Sequence, residues 1–97
     1  MNTQVAHIIS EYFKTKPVQK AWVFGSYSRN EERTDSDIDI LVSFIPGEKI
    51  GLKFFGMIID LERLLKRHVD LVVEGDLLPF AAQSANNDKV LVYERAN

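Results

Sequence analysis

The sequence contains no cysteine, only two histidines and three prolines, and no apolar run near the about 18 residues that a membrane-spanning helix needs. Without cysteine, disulfides and thiolate metal sites are excluded, and the wide separation of His7 and His68 disfavours a histidine-based metal site. No N-terminal stretch has the charged, apolar and cleavage regions of a signal peptide. A soluble cytoplasmic protein is therefore the expectation.

An excess of positive charge is also missing. Lysine plus arginine number 12 and aspartate plus glutamate 14, which gives a formal net charge of −2. Stable nucleic-acid binding is not expected, since indiscriminate binding needs a basic footprint. What the chain does have is 45% hydrophobic residues in a length of 97, enough for one modest core. A single domain over residues 1–97 is expected.

Hydrophobic periodicity predicts alternating helices and strands. Helices are predicted over 4–14, 26–32, 52–66 and 80–86, and strands over 20–24, 37–44, 68–73 and 89–94. This order indicates an α/β (α+β) fold, with a mixed sheet of about four strands and helices packed against it. The short connection between the first two strands indicates that they are neighbours in the sheet.

The helix predicted over 52–66 has a wide apolar face. Phe54, Ile58, Leu61 and Leu65 form one row, and Phe55 and Ile59 widen it. Burial in the core explains this face, and it explains Trp22 as well. A partner surface lined by Phe54, Phe55 or Trp22 is an alternative that the sequence leaves open.

One stretch, from Val23 to Val42, carries a chemical pattern. Its second half holds Asp37 and Asp39, which directly precede the apolar residues of a predicted strand. Because side chains on a strand alternate between faces, these two carboxylates project from the same face. Paired carboxylates repel each other unless a cation lies between them, and Mg²⁺ prefers such oxygen ligands. An isolated Asp-x-Asp is also typical of a solvated strand entry.

The first half of the stretch breaks an apolar strand at Gly25 and Ser26, and ten residues separate Ser26 from Asp37. Glycine permits positive φ and a close approach of the backbone. The N-terminus of the short helix predicted after it offers N–H groups to a phosphate, and the Ser26 hydroxyl adds one hydrogen bond. Alone, Gly-Ser is an ordinary turn, but the combination with Asp37 and Asp39 is much more specific.

The combined pattern resembles the signature of the DNA polymerase beta-type nucleotidyltransferase superfamily. In particular it is similar to the minimal nucleotidyltransferases, single small domains encoded beside HEPN-domain partners. Arg29 matches a basic residue usual in the turn of that family. Tyr27 stands where many members carry a basic residue, and Asn30 where many carry glycine. These two departures affect how the phosphates are held and leave the metal site unaffected.

The resemblance implies a nucleotidyltransferase fold and a set of site residues. Asp70, directly before an apolar strand, matches the third carboxylate of the family, so that Asp37, Asp39 and Asp70 would be both the catalytic and the metal-binding residues. The nucleotide-binding residues would be Gly25, Ser26 and Arg29. Two Mg²⁺ ions, with Mn²⁺ as an alternative, would serve a reaction that uses ATP as substrate.

The resemblance also implies a partner. In the minimal nucleotidyltransferases the enzyme is the antitoxin of a toxin–antitoxin pair and moves AMP from ATP onto a tyrosine of a HEPN ribonuclease toxin. Two alternatives stay open at this point. One is an adenylyltransferase for a small molecule such as an aminoglycoside, and the other is a catalytically inactive antitoxin that only binds its partner. The acceptor, the preferred base and the oligomeric state are not encoded in any motif.

Overall fold

A mixed four-stranded sheet, with strand order β3-β2-β1-β4, organises the chain. The computed structural model describes residues 3–25, 37–75 and 88–96. The elements are α1 (Thr3–Phe13), β1 (Val18–Phe24), β2 (Ile38–Phe44), α2 (Lys53–Leu65), β3 (Val69–Val73) and β4 (Val90–Glu94). The helices predicted over 26–32 and 80–86, together with Ser26 and Arg29, lie outside the described residues.

The connections between strands set their directions. β1 pairs with β2 and with β4 in antiparallel fashion, whereas β2 and β3 are parallel and are joined through α2. The predicted mixed sheet, with its first two strands as neighbours, is thereby confirmed. β1 starts two residues before its predicted start, because Val18 is fully buried and pairs with Phe44. The other described boundaries fall within one residue of their predicted positions.

Both helices pack against one face of the sheet and form the core with it. Ile9 and Phe13 of α1 and Leu61 of α2 are completely buried. The sheet contributes alternate residues of each strand to the same cluster, which include Ala21, Val23, Ile38, Ile40, Val42, Val69, Leu71 and Tyr93. The intervening residues of β1, β2 and β3 therefore project from the opposite face of the sheet.

On that opposite face, Trp22 and Leu41 are register partners and both are buried. The Lys89 ammonium lies 4.5 Å from the centroid of the Trp22 ring, in a cation–π contact. The burial of Trp22 agrees with its predicted place in the core and leaves little of it for a partner surface.

α2 corrects one expectation. Phe54 and Ile58 pack against the core as predicted, but Phe55 is 61% exposed and Ile59 is 65% exposed. The core-facing stripe of α2 runs through Met57, Leu61 and Leu65. Because successive residues of a helix are rotated by about 100°, Phe55 and Ile59 lie on its outer side. In the part of the chain that the structure describes, no helix is long and apolar enough to span a bilayer.

Candidate active site

Two carboxylates lie side by side on neighbouring strands. Asp39 of β2 and Asp70 of β3 are Cα partners in the parallel ladder. Each is flanked by residues of the core that faces α1 and α2, so both side chains project from the opposite face of the sheet. Strands pair at about 4.8 Å, so rotation of the two side chains is enough to bring their carboxylates to one cation.

Gly25 lies next to Asp39, on the side away from Asp70. β1 ends at Phe24, which pairs with Asp39, and Gly25 follows with a φ of 74° in the left-handed region. A Cβ atom built on Gly25 would overlap the Asp39 carboxylate oxygen and would lie 3.4 Å from its Cγ. The backbone at Gly25 therefore reaches the Asp39 carboxylate only because residue 25 has no side chain.

Asp37 lies at the margin of the site. It is exposed and precedes the first paired residue of β2, so the ladder does not fix the direction of its side chain. Within residues 3–25, 37–75 and 88–96, no three carboxylate or imidazole groups converge as they would around a metal ion. The structure thus brings Asp39, Asp70 and Gly25 together, while convergence of all three carboxylates stays a prediction.

A hydrogen-bonded junction between α2 and β3 positions Asp70. The Glu62 carboxylate accepts the Val69 backbone N–H at 3.0 Å and lies 3.2 Å from Nδ1 of His68. The Ile38 N–H donates to the His68 carbonyl at 2.9 Å, which aligns the start of β3 with the start of β2. Sequence reasoning missed Glu62, because a glutamate near a helix end usually faces solvent and only the fold turns it toward the next strand.

The comparisons with known proteins agree with this arrangement. Residues 4–92 match the family model described as a nucleotidyltransferase domain. The chain belongs to the nucleotidyltransferase family. A relative named protein adenylyltransferase MntA, from Thermococcus cleftensis, is 43% identical over 77 residues, which cover 77% of this chain and 75% of the relative. The family predicted from the Gly-Ser and Asp-x-Asp pattern is confirmed.

Solved structures support the same fold. One, provisionally named a minimal nucleotidyltransferase, is 30% identical with a TM-score of 0.72, covering 91% of this chain and 88% of that one. Another is a complex of a tri-AMPylated HEPN toxin of Shewanella oneidensis with an MNT antitoxin. It is 21% identical with a TM-score of 0.71 and covers 98% of this chain and 74% of that one, so it bears on the fold alone. This nucleotidyltransferase accordingly shares the mixed-sheet architecture of minimal members of the family.

Proposed function

We propose that this nucleotidyltransferase transfers AMP from ATP to a hydroxyl group of a partner protein, a tyrosine of a HEPN ribonuclease toxin, and thereby acts as an antitoxin. The name of the Thermococcus cleftensis relative supports a protein acceptor. In the Shewanella oneidensis complex, which shares this fold, an MNT antitoxin is bound to a tri-AMPylated HEPN toxin, and the proposal takes its partner and its transferred group from that complex. A cytoplasmic location follows from this role.

The donor set fits a hard divalent cation. Asp39 and Asp70 present two carboxylates from adjacent strands, and oxygen ligands of this kind are those that Mg²⁺ prefers. In this proposal Asp39 and Asp70 would hold the metal, and Asp37 would add a third carboxylate. Two Mg²⁺ ions, or Mn²⁺ in their place, would neutralise charge on the triphosphate and on the attacking and leaving oxygens.

The other proposed residues position the triphosphate and the acceptor hydroxyl. Gly25 lets Asp39 lie against the end of β1, the triphosphate would bind beside this pair, and Ser26 and Arg29 would bind its phosphate oxygens. The acceptor oxygen forms a bond to the α-phosphorus while the bond from that phosphorus to pyrophosphate breaks. Asp70, whose side chain is exposed, would accept the proton that the acceptor hydroxyl loses.

Asp39 and Asp70 are direct partners in the parallel ladder and lie beside Gly25, which follows β1, and this observation carries the proposal. The test incubates the protein with Mg²⁺, ATP labelled at its α-phosphorus, and the HEPN-domain protein encoded beside it. Label is expected on the HEPN protein, and substituting the acceptor tyrosine by phenylalanine should remove it. Asp39→Asn and Asp70→Asn should each reduce transfer by at least about 100-fold, since charge at the reacting phosphate carries most of the catalysis.

Glu48→Gln is the matched control. Glu48 is an exposed carboxylate beyond the far end of β2, and its loss should leave transfer unchanged. A tight complex without transferred label would instead indicate an inactive antitoxin. Label that appears on an added aminoglycoside, and never on the HEPN protein, would overturn the protein-acceptor proposal while leaving the nucleotidyl transfer intact.

A further inference from the structure

The outer side of α2 carries an exposed apolar stripe. Leu52, directly before the helix, is 84% exposed, and Phe55 and Ile59 on the next two turns are 61% and 65% exposed. Their spacing of three and four residues places them on one side of the helix, away from the core. Single exposed apolar residues are common on protein surfaces, whereas a contiguous group of them marks an interaction surface.

A cleft lies beside the stripe. Gly56 is exposed, and a Cβ built on it would meet no atom within 4 Å. The space next to it is a cavity of about 360 Å³ between the end of α1 and the first half of α2, with Tyr12, Lys53 and Met57 among its lining residues. The stripe and the cleft together form a ridge and a groove of the kind into which an amphipathic helix packs.

The charges around this surface are unbalanced. Lys49, Lys53 and Lys66 are exposed, and the structure gives none of them an ion pair with a carboxylate among the described residues. Three acidic residues, Glu48, Asp60 and Glu62, lie near the stripe as well; Asp60 accepts the Tyr12 hydroxyl at 2.6 Å and Glu62 accepts the Val69 N–H. Residues 48–67, which include α2 and the segment before it, nevertheless hold five basic and three acidic residues, so this segment has a net charge of +2 although the whole chain has a net charge of −2.

We propose that the outer side of α2, defined by Leu52, Phe55, Gly56 and Ile59, is a docking surface for an acidic amphipathic helix of a partner protein. The partner's apolar face would cover the stripe, and its carboxylates would meet the exposed lysines. A second copy of this chain fits less well, because an antiparallel contact between two α2 helices would bring the Lys53 end of one copy toward Lys66 of the other.

The position of this surface separates it from the active site. α2 covers the face of the sheet opposite to Asp39 and Asp70, so a helix docked on its outer side leaves both carboxylates accessible. Docking here goes beyond the proposed transfer reaction and requires neither ATP nor an acceptor hydroxyl.

The test uses two designed helical peptides of about 15 residues, each with leucine along one face. One carries glutamate at the remaining positions, and the other carries lysine. Fluorescence anisotropy measures their binding to the full chain. The acidic peptide is expected to bind at least about tenfold more tightly than the basic one, with an affinity that falls as salt is added.

Variants of the full chain locate the binding. Phe55→Ser and Ile59→Ser should each weaken the acidic peptide by about tenfold or more, as expected for a buried apolar anchor. Leu64→Ser is the matched control, because Leu64 is 44% exposed on the same helix but lies off the stripe, and it should have no effect. Lys53→Glu should weaken the acidic peptide and strengthen the basic one.

Three results would overturn the proposal: equal binding of the two peptides, no loss on either stripe substitution, or a dimer in sedimentation analysis that Phe55→Ser makes monomeric. The last result would assign the stripe to a second copy of the chain. Circular dichroism confirms that each variant is folded before binding is measured. A failure of peptide binding would leave the AMP transfer reaction standing, since the two assays share no component except the protein.

Discussion

Gly25→Ala adds a single methyl group, yet it is expected to lower both the rate of AMP transfer and the stability of the fold. The added methyl group would lie 3.4 Å from the Asp39 Cγ and would overlap the Asp39 carboxylate oxygen, which ordinary contacts do not allow. The φ of 74° at residue 25 is also a conformation that alanine adopts only with strain. One substitution thus strains the backbone and displaces the carboxylate.

The two effects have different sizes. Left-handed backbone at a residue other than glycine costs about 1–2 kcal/mol, which should lower the melting temperature by about 4–16 °C for a domain of this length. Displacing a catalytic carboxylate by about 1 Å can cost about 100-fold in rate. Transfer of labelled AMP should therefore fall by about 100-fold at a temperature where the variant is still folded.

Gly47→Ala separates these effects. Gly47 has a φ of 86°, but a Cβ built on it would meet no atom within 4 Å. The control should show a similar loss of melting temperature with unchanged transfer, because it shares the backbone strain without the contact to Asp39. Equal transfer rates for wild type and Gly25→Ala, both folded, would refute the role assigned to the close approach of Gly25 and Asp39.

Two further substitutions test a contact between α1 and α2 and the contacts that join the residue after β4 to the segment between α1 and β1. Burial and the hydrogen bond to Asp60 raise the pKa of Tyr12, so its contribution to stability is complete below about pH 10 and is lost as pH rises above that value. In urea unfolding between pH 8 and 11, wild type should lose stability at the alkaline end more steeply than Tyr12→Phe, and parallel curves would contradict this. Arg95 donates to the carbonyls of Lys14, Lys16 and Val18. Arg95→Lys should cost about 1–3 kcal/mol in urea unfolding, because an ammonium group cannot reproduce the planar fork, and unchanged stability would show that these bonds contribute little.

The order of helices and strands could be predicted because burial acts on patterns that are local in sequence. The alternation of Ile38, Ile40 and Val42 indicated a strand with one buried face, and that alternation also places Asp39 on the other face. Asp39 and Asp70 could be chosen as candidates from their positions before apolar runs. Their direct register is a property of the parallel pairing, which periodicity does not encode.

The outer side of α2 shows where pattern reasoning fails. Phe54 and Phe55 are adjacent and equally apolar in the sequence, yet only Phe54 packs on the core. A helix that contacts a sheet on one side buries only part of a wide apolar face. Which part is buried depends on the crossing of α2 over the sheet, and residues distant in sequence determine that crossing. The exposure of Phe55 and Ile59 in the folded protein could therefore be recognised only from the structure.

The central claim is that Asp39 and Asp70 hold the same divalent cation. Binding of Mn²⁺ to the isolated protein, measured by electron paramagnetic resonance, tests it most directly. Asp39→Asn and Asp70→Asn should each weaken binding by at least about tenfold, and the double variant should be little worse than either, because two ligands of one ion couple strongly. Glu48→Gln should bind Mn²⁺ like wild type. Wild-type affinity in Asp70→Asn, or fully additive losses in the double variant, would show that the two carboxylates do not hold the same cation.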